Sequence, residues 1–218
     1  NPRNIFMSTL DEEDVKVMRA TKTCVAATRF QYDYLNDDIT DDGRIDYSLT
    51  NKIPHALRQA IANGKKILVL INPPYAEARA GVGSRSKVGV AKTKLASAAI
   101  DKYGKASNEL YTQFVARIAL EIPTATIAMF STLKYVNAQT MEVFRSAWNA
   151  KYLGGFVVHN KAFDGLKGEF PIGFLVWATN QNAIKKQPII EISTSILDKD
   201  AHEIGEKQLY NIPNSQLL

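Results

Sequence analysis

Short apolar runs bounded by turn-forming residues alternate along this chain with longer stretches of helical period, the pattern of strands and helices in an α/β sheet. Ile5–Leu10 reads as a strand, Asp11–Ala20 as a helix with an acidic first turn, and Arg29–Leu35 as a second strand. The Asp-rich stretch Asn36–Asp46 is a loop. Ser48–Asn63 reads as the next helix, with Ser48 or Thr50 available as N-cap and Gly64 placed to end it. Ile67–Ile71 is wholly apolar, as in a central parallel strand covered on both faces, and it stops at Asn72-Pro73-Pro74-Tyr75. Further on, Leu110, Phe114, Ile118 and Ile122 form an apolar stripe along a helix over Ser107–Ile122. Thr126–Thr132 then reads as a strand, Gln139–Tyr152 as a helix, and Gly154–His159 and Ile172–Thr179 as strands. From Ile189 to Ile212, two β-like runs flank Asp198-Lys199-Asp200 as a hairpin. The expected division is a main unit over residues 1–183, with 184–218 as a hairpin extension or the start of a further domain.

Composition narrows the class. In 218 residues, 45% hydrophobic and 22% charged content suffices for one sizeable core and one main domain. The formal charge of +5 permits contact with a polyanion without requiring it. No stretch approaches the roughly 18 apolar residues of a membrane span, and no basic-then-apolar leader opens the chain, so a soluble, cytoplasmic protein is expected. Cys24 is the single cysteine, which excludes an intrachain disulfide; beside Val25 and Ala26 it reads as a small buried hydrophobe. His55, His159 and His202 lie far apart and none stands at metal-ligand spacing from Cys24, so no metal site is expected. Asn1-Pro2-Arg3-Asn4 runs at once into Ile5-Phe6-Met7, which reads as a chain cut from something longer.

Asn72-Pro73-Pro74-Tyr75 follows an apolar strand directly, and ligands of α/β sheets bind at the carboxyl ends of strands. Two prolines also simply end a strand, since neither donates to a ladder. The residue types nevertheless suit one kind of chemistry. An amino group on a purine ring has its lone pair delocalised and is a poor nucleophile. The Asn72 amide oxygen and the backbone carbonyl of the Pro73 peptide can each accept one amino hydrogen, which frees that lone pair, and proline stiffens the carbonyl. Tyr75 is suited to stacking on a base taken out of a duplex, a step that costs a few kcal/mol.

In this tetrapeptide the chain resembles the N6-adenine DNA methyltransferases, and the resemblance covers most of its length. It implies a Rossmann-like S-adenosylmethionine-dependent methyltransferase sheet, here truncated at the N-terminus and carrying the C-terminal β-hairpin. It implies methyl transfer from S-adenosylmethionine to the adenine N6 amino group of double-stranded DNA, as part of a restriction-modification system or as a solitary DNA methylase. Asn72, Pro73, Pro74 and Tyr75 are then catalytic. An acidic residue followed by an aromatic binds the cofactor's adenine in that family, which Asp33-Tyr34 matches. A ribose-binding acidic residue is expected one strand earlier: Asp11 is the first candidate and Glu12 the second, although helix capping explains Asp11 equally well. An aromatic near the target base corresponds to Phe163, before Asp164-Gly165, with Phe170 as rival; either also suits a core.

One departure stands beside the match. The family's glycine-rich cofactor motif has no room before Ile5–Leu10. Gly81-Val82-Gly83 lies after the tetrapeptide, has Ser86 where the pattern needs glycine, and reads as flexible loop. The resemblance therefore implies that this chain alone binds S-adenosylmethionine weakly or not at all and is inactive, while a full-length parent binds it well.

Between Ala76 and Ala106 stand Arg79, Arg85, Lys87, Lys92, Lys94, Lys102 and Lys105 against Glu77 and Asp101, an excess of five that equals the charge of the whole chain. Such a mobile, glycine-containing segment after the tetrapeptide suits DNA phosphates, with Arg79, Arg85, Lys87, Lys92 and Lys94 as contacts; a solvated basic face is the plainer reading. The partners expected are duplex DNA, further domains of a parent chain or a restriction subunit, and no membrane. Two alternatives remain. One is a methyltransferase acting on RNA or on a protein amide nitrogen. The other is a non-catalytic DNA-binding module of a larger assembly, which the missing glycine motif favours and the intact tetrapeptide disfavours.

Overall fold

In the computed structural model, which describes residues 4–74, 93–163, 170–179 and 191–211, the first two strands form a ladder of their own. β1 (Phe6–Thr9) and β2 (Thr28–Gln31) pair in parallel, with Thr9 opposite Gln31 at their carboxyl ends, and α1 (Glu12–Ala20) joins them. Cys24 is exposed, contrary to expectation: it lies in the turn between α1 and β2 at φ 46°, where no core reaches it. β2 stops at Gln31 rather than Leu35 because Asp33 turns the backbone, its carboxylate accepting from Leu35 N at 3.1 Å and Asn36 Nδ2 at 2.8 Å.

α2 is His55–Ala62, shorter than the 48–63 expected. Neither Ser48 nor Thr50 caps it. The Ser48 hydroxyl donates to Asp46 and that of Thr50 to Asp38, Asn51 takes φ 55°, and Pro54, with its φ already set, opens the helix instead. Gly64 does end it, at φ 60°.

β3 (Leu68–Ile71) begins a six-stranded sheet. Part of the basic segment expected as loop is helical, as α3 (Lys94–Tyr103). A 3₁₀ turn at Gly104–Asn108 leads into α4 (Leu110–Glu121), followed by β4 (Thr126–Thr132) and a short α5 (Lys134–Asn137) that the sequence pattern did not reveal. The helix expected over Gln139–Tyr152 is a 3₁₀ turn and α6 (Glu142–Ala147). It breaks early because Trp148 is buried against Tyr135, Phe144 and Trp177, and because Lys151 and Tyr152 pair with Ala178 and Trp177. β5 (Lys151–His159), β6 (Pro171–Ala178), β7 (Glu191–Leu197) and β8 (Glu203–Tyr210) complete the sheet.

The spatial order is β3-β4-β6-β5-β7-β8. β3 and β4 are parallel, β6 runs antiparallel to β4 and β5, β7 is parallel to β5, and the β7–β8 hairpin extends the sheet. The carboxyl ends of β3, β4, β5 and β7 therefore share one edge. Gly155, at φ 152°, is required where β5 meets β6, since a Cβ there would strike the Phe174 carbonyl.

Alternation assigns the two faces. Ile127, Met129, Leu175, Trp177 and Val157 point to one side, into a core filled by Tyr111, Val115, Ile118, Tyr135, Phe144 and Trp148 from α4, α5, α6 and the residue following it. Leu68, Leu70, Phe130, Phe156 and Phe174 share the other side. Among the described residues β3 pairs on one side only, with β4, and one of its faces is open: Leu68 and Leu70 are 68% and 69% exposed, where the sequence pattern predicts a strand covered on both faces.

Candidate active site

The register of β1 and β2 determines how the first two acidic candidates meet. Because Thr9 faces Gln31, the two strands stop level, and Asp11 and Asp33 each stand two residues further on. Tyr32 N donates to the Thr9 carbonyl at 2.8 Å and Gln31 Nε2 to the Leu10 carbonyl at 2.8 Å, which holds the two exits side by side. Asp11 occupies the N-cap position of α1 but makes no side-chain cap hydrogen bond there. Glu12 lies in the exposed first turn.

Asp33 is half-buried and closes a turn over residues 33–37. Its carbonyl accepts from Asn36 N at 3.1 Å and Asp37 N at 2.8 Å, and its own amide donates to Asp37 Oδ2 at 2.9 Å. Both carboxylate oxygens already accept one hydrogen bond, and each keeps a lone pair for another donor. Tyr34 stacks on Phe114 of α4, centroids 5.8 Å apart and planes 6° from parallel, with the Arg117 guanidinium 4.9 Å from the centre of its ring. Two carboxylates at neighbouring parallel strand ends can each accept from a hydroxyl or amino donor. The Tyr34 ring is engaged by α4.

Beneath this turn lies a polar network that sequence reading missed. Arg117 is wholly buried. Its Nε donates to Glu121 Oε2 at 2.9 Å, Nη1 to the carbonyls of Tyr34 at 3.1 Å and Asp37 at 3.0 Å, and Nη2 to the Tyr32 hydroxyl at 2.7 Å. Tyr47 donates to Glu121 Oε1 at 2.6 Å, while Tyr32 donates to Asp38 Oδ2 at 3.0 Å. Burial pulls the guanidinium down, but its interactions with charged neighbours, the Glu121 carboxylate foremost, outweigh it and hold Arg117 above its ordinary pKa. Burial, with Glu121 adding to it, also pushes the Tyr34 hydroxyl well up, so this network stays charged on Arg117 and neutral on Tyr34 at every physiological pH. The available signal was an Arg and a Glu four residues apart, Arg117 and Glu121, beside an apolar helical stripe.

At the carboxyl end of β3, Asn72 and Pro74 are exposed and Pro73 is buried. Tyr75, Arg79, Arg85, Lys87 and Lys92 lie outside the described residues, as do Asp164 and Gly165. Lys94 starts α3 and is exposed; its amide donates to Asn36 Oδ1 at 2.9 Å, and Leu95 N donates to the Leu35 carbonyl at 3.2 Å. The structure therefore brings Lys94 to the Asp33 turn.

Phe163, just beyond β5, packs edge-on against Phe130 at 5.5 Å, extending the row that Phe130, Phe174 and Phe156 form across β4, β6 and β5. Phe170 instead lines a cleft of about 690 Å³ at the carboxyl ends of β5 and β7, with His159, Leu197 and Lys207. Among the described residues no group of His, Cys, Asp and Glu is arranged to hold a metal ion, and no helix is long and apolar enough to cross a membrane.

No family model matches this chain, and no curated protein matches it. Among solved structures it is similar to an ATP-dependent type ISP restriction-modification enzyme, LlaBIII, bound to DNA (TM-score 0.46, 11% identity, 78% of this chain and 12% of that one). It is similar also to the DrdV–DNA complex (TM-score 0.45, 12% identity, 82% and 18%). A third is a modification subunit assigned to a type I restriction enzyme from Vibrio vulnificus YJ016 (TM-score 0.49, 10% identity, 90% and 37%). The chain thus spans between 12% and 37% of the length of these three.

Proposed function

We propose that this chain is part of an S-adenosylmethionine-dependent methyltransferase acting on the N6 amino group of adenine in DNA. The observation that carries the reading is the position of Asn72-Pro73-Pro74: it leaves the carboxyl end of a parallel strand with Pro73 anchored by burial and Asn72 exposed. A buried proline fixes the backbone beside an exposed asparagine. Asn72 Oδ1 and the Pro73 carbonyl then act as paired acceptors for the two amino hydrogens, leaving the nitrogen lone pair free for attack.

Asp33 and Asp11 would hold the cofactor by its adenine and ribose. S-adenosylmethionine supplies, when bound, an electrophilic methyl group on a good leaving group. The residues of this chain contribute positioning and polarisation, and no covalent nucleophile is needed. Phe163 or Phe170 supplies an aromatic surface for the base, and Lys94 a cation for the duplex backbone.

The test is Asn72→Ala in the full-length protein, assayed for methyl transfer to duplex DNA, RNA and protein. The reading expects duplex DNA to be the substrate and turnover to fall about 10²- to 10³-fold, the cost of removing one preorganised partner of the reacting group, with cofactor affinity retained. Undiminished turnover by the variant would overturn it.

A further inference from the structure

Arg117 raises a question that fold stability does not answer. A buried ion pair such as Arg117–Glu121 is costly to desolvate, and apolar residues of similar volume often serve a core as well or better. What the pair does contribute is fixed geometry. The planar fork grips the 33–37 turn at both ends, at the carbonyls of Tyr34 and Asp37, and holds the Tyr32 hydroxyl beside it, while Glu121 and Tyr47 set the angle of the fork. Inside that turn Asp33 is held by its carboxylate, through Leu35 N and Asn36 Nδ2, and by its amide, which donates to the Asp37 carboxylate.

We infer that Arg117 is a positioning residue: from α4 it clamps the 33–37 turn and so orients the Asp33 carboxylate for the cofactor's adenine. This rests on the reading that Asp33 contacts the cofactor. α4 is suited to the task because Val115 and Ile118 anchor the same helix in the main core. The clamp therefore refers the position of Asp33 to the sheet that carries Asn72. A lysine cannot replace the fork, since a single ammonium lacks the planar, five-donor geometry that reaches both carbonyls and the hydroxyl.

The experiment uses the full-length protein with the double substitution Arg117→Met and Glu121→Leu, which removes the pair without stranding a charge, and separately Arg117→Lys and Tyr32→Phe. Calorimetric affinity for S-adenosylmethionine, hydrogen exchange at the Leu35 and Asp37 amides, and the melting temperature are measured together. The double variant, in which the Tyr47 hydroxyl and the Tyr34 and Asp37 carbonyls lose a partner, is expected to melt lower but stay folded and to bind about 10-fold more weakly, with faster exchange at Leu35 and with kcat at saturating cofactor nearly unchanged. Arg117→Lys is expected to behave alike. A folded double variant with unchanged affinity and unchanged exchange overturns the inference. Should it fail to fold, Tyr32→Phe, which removes one contact of the fork and leaves the ion pair, decides: faster Leu35 exchange supports the clamp and unchanged exchange overturns it. A parent protein that binds no S-adenosylmethionine overturns the functional reading instead, and the exchange arm then decides the clamp alone.

Discussion

Asp11 and Asp33 leave two parallel strands at the same level, each two residues beyond the Thr9–Gln31 register pair. They differ in what already surrounds them. Asp33 sits in a closed turn with both oxygens oriented, whereas Asp11 heads α1 without a cap bond. In the full-length protein, Asp33→Ala is therefore expected to weaken S-adenosylmethionine binding more than Asp11→Ala, by about 10- to 100-fold for loss of one hydrogen bond to a charged group. Titration calorimetry on both variants checks this, and equal affinities for parent and Asp33→Ala would count against Asp33 as a ligand.

Leu68 and Leu70 carry the next expectation. Among the described residues β3 has a partner on one side only, and an apolar strand so placed with two exposed leucines is a template for association. Leu68→Lys with Leu70→Lys is expected to reduce light scattering of the isolated chain at high concentration. Its melting temperature should hardly move, because surface substitutions typically change stability by within about 0.5 kcal/mol. A large loss of stability would mean that these side chains are buried in solution.

What could be read from the sequence followed from how local each determinant was. Thr126–Thr132 matches β4 residue for residue, and the hairpin around Asp198–Asp200 is present, because period-two patterning and turn chemistry need no distant partner. The start of α2 was misread because the hydroxyls of Ser48 and Thr50 are taken by Asp46 and Asp38, the latter 12 residues away in sequence. The 139–152 helix broke for a tertiary reason, the burial of Trp148. The Arg117 clamp was invisible because its partners Tyr34, Asp37 and Tyr32 lie 83, 80 and 85 residues away. The Asp33 position at a strand end was legible from the sequence, but the buried Arg117 that bonds the turn after it was not.

Two tyrosines in the core make a matched pair for stability. Tyr135 Oη accepts from Trp177 Nε1 at 3.0 Å with both side chains buried. Tyr135→Phe strands that indole N–H and is expected to cost about 1–3 kcal/mol. The Tyr152 hydroxyl is buried with no hydrogen-bond partner among the described residues, so Tyr152→Phe relieves an unmet polar group and is expected to be neutral or stabilising. Urea unfolding midpoints should move in these two directions, and equal losses would contradict the assignment.

The hairpin turn gives a pH dependence whose sign can be worked out. Asp198 Oδ1 accepts from His202 N at 2.9 Å and Asp200 N at 2.8 Å. The His202 amide, with Asp200 and Lys199 assisting, holds the Asp198 carboxyl below the usual value of about 3.9. A group whose pKa is depressed on folding stabilises the folded form at every pH above its unfolded value, and that contribution fades as pH falls through the folded one. Amide exchange at Asp200 and His202 should therefore be insensitive to protonation of Asp198 at neutral pH. Their protection should weaken only when the solution is more acidic than an ordinary aspartate requires. Asp198→Asn keeps an acceptor oxygen in place and should abolish that acid-dependent loss while retaining the turn. A carboxyl-carbon NMR titration of Asp198 with a midpoint at or above about 3.9 would contradict the hydrogen bonds that form this turn.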